Sequence, residues 1–412
     1  MKPGKILLFF IMGIILLSID ACSNPFLQKN GNGGRSMGPG SGRADDPFLV
    51  RTVADLLHVG NPELDTKYAE WDLDKYYKQT ADINLTSITN WTPIGTNLAD
   101  LNHPFSFTGS YDGNGRKILN LKISDEDKLY QGLFSDIGAT GIVKNLGLVD
   151  ININIIRTSG TINGLGGVAG RSYGTIQNCY VSGSLSGYNY IGGVIGMNYG
   201  TIQNCYATGS FSGYDCVGGV LAENYNLGEF IGFVQNCYAV CEISVGTMYG
   251  GGIVGYNTAT IQNCYAAGSV SVARTVAGGV TGYTGGTTRN CVALNEAVTA
   301  EGTSVADGLS VGRVTASAGG TRENNYAWED MTLQFRNVDK NPLVEGSDNP
   351  DGEPLSAGGI RDKSFWTNSE NWNTTDEGAE AWDFTDTWVW DDTGTNMPRL
   401  KNFPATPWPD YL

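Results

Sequence analysis

The sequence predicts an all-β chain wound as a right-handed parallel β-helix, a β-solenoid with coils of about 26 residues. Three observations carry this reading. One segment type recurs at near-constant spacing, each copy alternates apolar and polar residues with period 2, and that alternation breaks at the same two places in every copy. Composition agrees: glycine supplies 57 of 412 residues, and only 17% of residues are charged. A helix would need apolar residues three and four apart throughout, which the Gly-rich, β-branched copies do not offer.

The copies begin at Gly166, Gly192, Gly218, Gly251 and Gly278, and each carries one cysteine in register: Cys179, Cys205, Cys237, Cys264 and Cys291. The one long interval holds an insertion, Leu227 to Gly232, expected to bulge from a turn. From Cys205, the residues Cys205, Ala207, Gly209 and Phe211 share one strand face, and Tyr206, Thr208 and Ser210 point the other way. The three-residue step from Ile202 to Cys205 implies a corner at Asn204. The step from Val217 to Val220 implies another at Gly218-Gly219, where glycine permits unusual dihedrals. Stacked coils then make apolar ladders: Val168, Val194, Val220, Ile253, Val280; Ile176, Ile202, Val234, Ile261; and Leu185, Phe211, Ile243, Val270. No single coil could bury such a stripe alone.

The Gly-Gly-Val-x-Gly segments, followed by Ile-Gln-Asn-Cys-Tyr-Ala-x-Gly-Ser, resemble the bacterial GLUG motif. Similar features recur upstream in Trp91-Thr92-Pro93-Ile94-Gly95, Tyr111-Asp112-Gly113-Asn114-Gly115 and Gly132-Leu133-Phe134, and downstream in Trp382-Asp383-Phe384 and Pro398-Arg399-Leu400. The resemblance spans about residues 47 to 404 and implies an adhesin-like surface protein. Such repeats are also known from the non-catalytic N-terminal region of IgA-specific metallopeptidases. This chain has two histidines, His58 and His103, and no His-Glu-x-x-His. It therefore has no ligand set for that zinc chemistry, and neither a metal nor a cofactor is expected.

The N-terminus reads as an export signal over residues 1 to 21: Lys2 and Lys5, an apolar run from Ile6 to Ile19, then Ala21 before Cys22. That run is shorter than the roughly 20 residues of a membrane-spanning helix. Ser18-Ile19-Asp20-Ala21-Cys22 resembles a lipobox, although Asp20 departs from the usual small or apolar residue. Cys22 is the expected lipidation site, which would tie the protein to the outer or cytoplasmic membrane, facing outward. Residues 22 to 46 form a polar tether. Residues 47 to 131 hold an N-terminal cap and the first coils, with a short helix around Val53, Leu56 and Leu57. The GLUG-type repeats fill 132 to 327. Residues 328 to 412 form the last coils and an aromatic-rich cap, its tryptophans expected to lid the final coil.

Candidate chemistry is sparse. The five in-register cysteines read as a ladder of packed thiols, since parallel Cβ vectors suit a disulfide poorly; a Cys216–Cys241 bridge stays open. Between Ser159 and Asn290 the only charged residues are Arg171, Asp215, Glu223, Glu229, Glu242, Arg274 and Arg289, at scattered repeat positions. A polysaccharide lyase or hydrolase needs paired carboxylates or a basic cluster, so no catalytic residues are assigned, and a non-enzymatic protein is expected. The net charge of −16 argues against nucleic acid. Tyr180, Tyr206, Tyr238 and Tyr265 follow the cysteines and are expected to form an outward stripe. Such a stripe could contact host or neighbouring-cell proteins or glycans, or simply stabilise the sheet. Asn178, Asn204, Asn236, Asn263 and Asn290 are expected to hydrogen-bond along the corner. The leading function is adhesion or binding by a rigid surface body. A glycan-active enzyme and a structural spacer are the alternatives.

Overall fold

The computed structural model describes residues 40–62, 68–96, 105–124, 128–155, 164–302, 311–316, 319–340, 343–392, 396–404 and 409–412. The export signal, Cys22, most of the tether and His103 lie outside the described residues.

The chain winds as a parallel β-helix. One central coil shows the plan: strands Tyr190–Gly192, Ile195–Asn198, Thr201–Gln203 and Tyr206–Gly213, separated by three corners. Each strand pairs in parallel with its counterpart in the next coil, as Tyr190 with Cys216 and Tyr206 with Tyr238. Among the described residues this builds a seven-stranded sheet from the first strand type and a six-stranded sheet from the second. A long sheet of 21 strands takes the last two types, bent at the asparagine corner. Coils average about 30 residues, longer than the central 26 because individual coils carry insertions. The insertion at 227–232 forms a small antiparallel hairpin, Asn226–Leu227 with Phe230–Ile231.

The expected ladders are present. Val168, Val194, Val220, Ile253 and Val280 are all fully buried. Each donates its N–H to the next valine or isoleucine carbonyl at 2.8 to 3.0 Å. Leu185, Phe211, Ile243, Val270 and Val298 stack in register on the long sheet. The asparagine corner is equally regular: Asn178, Asn204, Asn236, Asn263 and Asn290 all have φ of 53–54°. That left-handed region is costly for most residues, and asparagine tolerates it through its short polar side chain.

At the N-terminal end, the edge strand Phe48–Val50 leads into helix α1, Val53–His58. A capping box starts the helix: Asp55 N donates to Thr52 Oγ1 at 3.1 Å, and Thr52 N donates to Asp55 Oδ2 at 3.0 Å. Leu56 is buried beneath it, whereas Leu57 faces solvent.

The C-terminal segment corrects an expectation. Its tryptophans do not lid the last coil. After the last ladder strand, Glu353–Leu355, the chain makes two short helices, α2 (Ala357–Ile360) and α3 (Lys363–Thr367). It then runs back along the outside of the long sheet as a strap. Near the last coils, buried Asp351 pairs with Lys340 at 2.9 Å, and buried Arg313 with Glu345 at 3.0 Å. Tryptophan indoles carry N–H groups that need acceptors, and three of the strap's find them: Trp366 donates to Ile360 O, Trp372 to Trp366 O and Trp382 to Asn290 O, whereas the buried Trp388 N–H has no partner among the described residues.

Candidate functional site

The predicted tyrosine stripe exists, but it is not a surface. Tyr180, Tyr206, Tyr238 and Tyr265 stack with ring centroids 5.1, 4.7 and 4.8 Å apart and planes within 13°. Their relative exposures are 9%, 4%, 0% and 0%. The strap roofs them: Trp388 lies over Tyr238 and Tyr265, Trp382 over Tyr265, and Phe403 edge-on to Tyr180 and Tyr206. The Tyr265 hydroxyl donates to Pro398 O at 3.0 Å. Strand alternation correctly sends these rings outward. Outward is not exposed here, because apolar faces left on a sheet are covered wherever other apolar side chains can reach them.

The strap also interrupts the asparagine ladder. Asn204 donates to Asn178, Asn178 to Asn145, and Asn145 to Asp112, at 2.9 to 3.1 Å. Further along, Asn263 donates instead to Ala381 O, and Asn290 to Asn373 O and Glu380 O. A second amide ladder, not anticipated, runs along the corner before the long sheet: Asn198 to Asn224 to Asn257, each at 2.9 Å. Its period was visible, but polar residues on an otherwise buried strand gave no sign that they would pair along the stack.

The five in-register cysteines are fully buried, and all seven described cysteines are free, including Cys216 and Cys241. Each ladder sulfur lies 3.1 to 3.3 Å from the carbonyl two residues earlier. Burial pushes the Cys179, Cys237 and Cys264 thiols well up, so they pack as small apolar groups. Among the described residues, no group of three or more His, Cys, Asp or Glu is placed to hold a metal ion.

Two surface features remain. Where the strap ends, a cleft of about 630 Å³ lies between it and the first coils. Asn145, Asn178, Tyr180 and Lys117 line one side, and Asp386, Lys401 and Phe403 line the other. The second is a tyrosine seam where side chains of the seven- and six-stranded sheets meet. Tyr130, Tyr190, Cys216 and Tyr249 occupy one position of the first sheet. Asp136, Arg171, Met197, Glu223, Tyr256 and Tyr283 occupy one position of the second. Tyr249 lies 5.2 Å from Tyr256 and 5.6 Å from Tyr283. The sheets approach so closely that a Cβ on Gly255 would sit 2.5 Å from the Cys216 sulfur. Tyr173, Tyr199 and Tyr225 flank the seam at the adjoining corner. These rings are part-exposed, unlike the roofed stripe.

Charge in the seam is arranged unevenly. Arg171 lies 4.2 Å above the Tyr130 ring and 5.2 Å from the Tyr173 ring. It donates to Asp136 at 2.5 Å and to the Tyr130 hydroxyl at 3.1 Å. Asp136 also accepts from the Ser106 hydroxyl. Two strands further along, Glu223 stands among tyrosines, and burial pushes its carboxyl up to about 7. Among the described residues, no cation or hydrogen-bond donor meets that carboxylate. In the sequence Glu223 is one of several charges at scattered repeat positions. The recurrent tyrosines before Gly-Gly and after Gly-x-Asn were the available signal.

Comparison with known proteins agrees with this architecture. The GLUG motif matches residues 187–212 and 246–271. Halomucin of Haloquadratum walsbyi is 37% identical over 157 residues, which is 36% of this chain and 2% of halomucin. A protein of Evansella cellulosilytica, named as a candidate Gly-rich membrane protein, is 33% identical over 147 residues, 34% of this chain and 15% of its own length. The chain thus spans a small part of either relative. A crystal structure of a candidate immunoglobulin A1 protease from Bacteroides ovatus superposes with a TM-score of 0.54 at 21% identity, covering 89% of this chain and 96% of that one. That likeness is one of fold. The chain thus carries two matches to the GLUG motif within repeats that wind into a parallel β-helix.

Proposed function

We propose that this protein is exported, held to a membrane by lipid on Cys22, and binds proteins or glycans at the cell surface without catalysing a reaction. The carrying observation is the tyrosine seam: part-exposed aromatic rings repeated along a stack of coils whose backbones are hydrogen-bonded to one another. Aromatic faces give contact area at little entropic cost, and a rigid stack presents them already ordered. A non-catalytic role is supported by the placement of the acids. Glycan hydrolysis uses two carboxylates flanking one bond. The cleft offers Asp386 alone among its lining residues; in the seam Asp136 is engaged by Arg171 and stands three strands away from Glu223. The name of the Evansella relative, a membrane protein, fits an envelope location.

Exposing the protein to arrays of glycans and extracellular proteins checks this reading. At least one array member should be retained and recovered intact, and Tyr249→Ala or Tyr256→Ala should weaken retention about tenfold or more. Cleavage of the retained molecule, or retention of none, contradicts it.

A further inference from the structure

The seam contains one arrangement that is complete and one that is not. Around Arg171, a guanidinium lies against two tyrosine rings and pairs with a carboxylate, Asp136. Around Glu223 the same kinds of group recur, carboxylate and tyrosine rings, but no cation accompanies them. Tyr190 and Tyr249 from the neighbouring sheet, Tyr256 on its own sheet and Tyr199 at the adjoining corner stand close enough to feel its charge. A part-buried carboxylate without a counter-charge is unfavourable. Tyrosine faces attract cations within about 6 Å of the ring, and a guanidinium matches a carboxylate with two parallel hydrogen bonds.

We propose that the Glu223 section of the seam is a binding site for an arginine side chain presented by a basic partner protein. The proposal rests on the surface-binding role above and names the chemistry of its partner. Three observations support an arginine from a protein. The chain's own Arg171 already fills the equivalent arrangement two strands away. Glu223 and the tyrosines around it are part-exposed along successive coils, so a chain laid across them can reach each. The protein carries a net charge of −16, which draws basic partners toward it. The other titratable group within reach of the Glu223 charge is Cys216, which has Asp215 beside it. Neither supplies positive charge.

The test is a titration of the protein with a short peptide alternating arginine and glycine, beside an isosteric citrulline peptide. Both are run at about 0.15 M salt, where long-range attraction is largely screened. At pH 8 the arginine peptide should bind about tenfold or more tightly than the citrulline peptide, and Glu223→Gln should remove that difference. Lowering the pH to 5.5 should weaken arginine binding in the unsubstituted protein and leave the Glu223→Gln variant unchanged. Glu242→Gln, an exposed acid on the long sheet, should bind as the unsubstituted protein does. Equal binding of the two peptides, equal binding by the Glu223→Gln variant, or an equal loss in Glu242→Gln overturns the proposal. Array members retained alongside any of those results leave the surface-binding role standing and remove only the arginine site.

Discussion

At the scale of single residues, the coils depend on side chains that do conformational work. Each asparagine after Ile-Gln adopts φ near 54° and turns the chain from one strand of the long sheet to the next. Alanine there would carry the αL penalty of about 1–2 kcal/mol and would break the amide chain. Glu223 is the residue with an energetic cost rather than a benefit. Its carboxyl titrates near 7 in the fold, against about 4.3 in an unfolded chain. The folded state therefore holds the extra proton between those values, and stability falls as pH rises through that window. Glu223→Gln should stabilise the protein by about 1–3 kcal/mol at pH 8. The gain should shrink to nearly nothing by pH 4, as urea unfolding at the two pH values would show. An equal gain at both would mean that burial of the charge is not the cause.

At the scale of elements, the strap is the feature that repeats alone do not explain. Trp366, Trp372, Trp382 and Trp388 pack against one another with centroids 4.6 to 6.2 Å apart, and the strap's hairpin pairs Trp388–Trp390 with Pro398–Leu400. Trp388 is fully buried between this hairpin and the stacked tyrosines. Its truncation, Trp388→Ala, should cost about 3–5 kcal/mol and leave Tyr238 and Tyr265 partly uncovered. Denaturant unfolding and binding of a hydrophobic dye read the two effects; a stable variant that binds no dye would show the roof to be dispensable. The hairpin at Asn226–Ile231 contrasts with the strap. Leu227 and Ile231 are 48% and 65% exposed, while Phe230 reaches back edge-on to Tyr173 at 4.9 Å and Asn226 donates to Thr258 O at 3.3 Å. The ladder strands on either side keep their register around it.

At the scale of the whole molecule, a stack of coils bonded only to its neighbours would open piecemeal. The strap changes this by tying distant coils together: Gln235 donates to Glu380 at 2.6 Å, and the Tyr411 hydroxyl meets Gly268 and Leu294. The buried cysteines report on the outcome. A thiol reagent should leave all seven unlabelled in the native protein and label Cys179 through Cys291 together as denaturant rises. Stepwise labelling, coil by coil, would show that the strap does not couple them.

The amino-acid sequence by itself determined the coil. Residues that recur at 26 or 27 positions must stack, each strand meets its counterpart in the next turn, and two corners fall where alternation breaks, at Asn204 and at Gly218-Gly219; a third, between Asn198 and Thr201, leaves no break in the pattern and emerged only in the fold. The helical start was equally local, since Thr52 and Asp55 cap each other within one turn. Tertiary structure alone decided which outward face stays open. Tyr265 is covered by Pro398, 133 residues away, and nothing in the repeat period encodes that contact. For Glu223 the period supplies the in-register neighbours, Met197 and Tyr256, and only the approach of the neighbouring sheet adds Tyr190 and Tyr249. Stacking depends on neighbours and is written in the period. Burial depends on which distant apolar surface arrives, and here the strap took one tyrosine face and left the other.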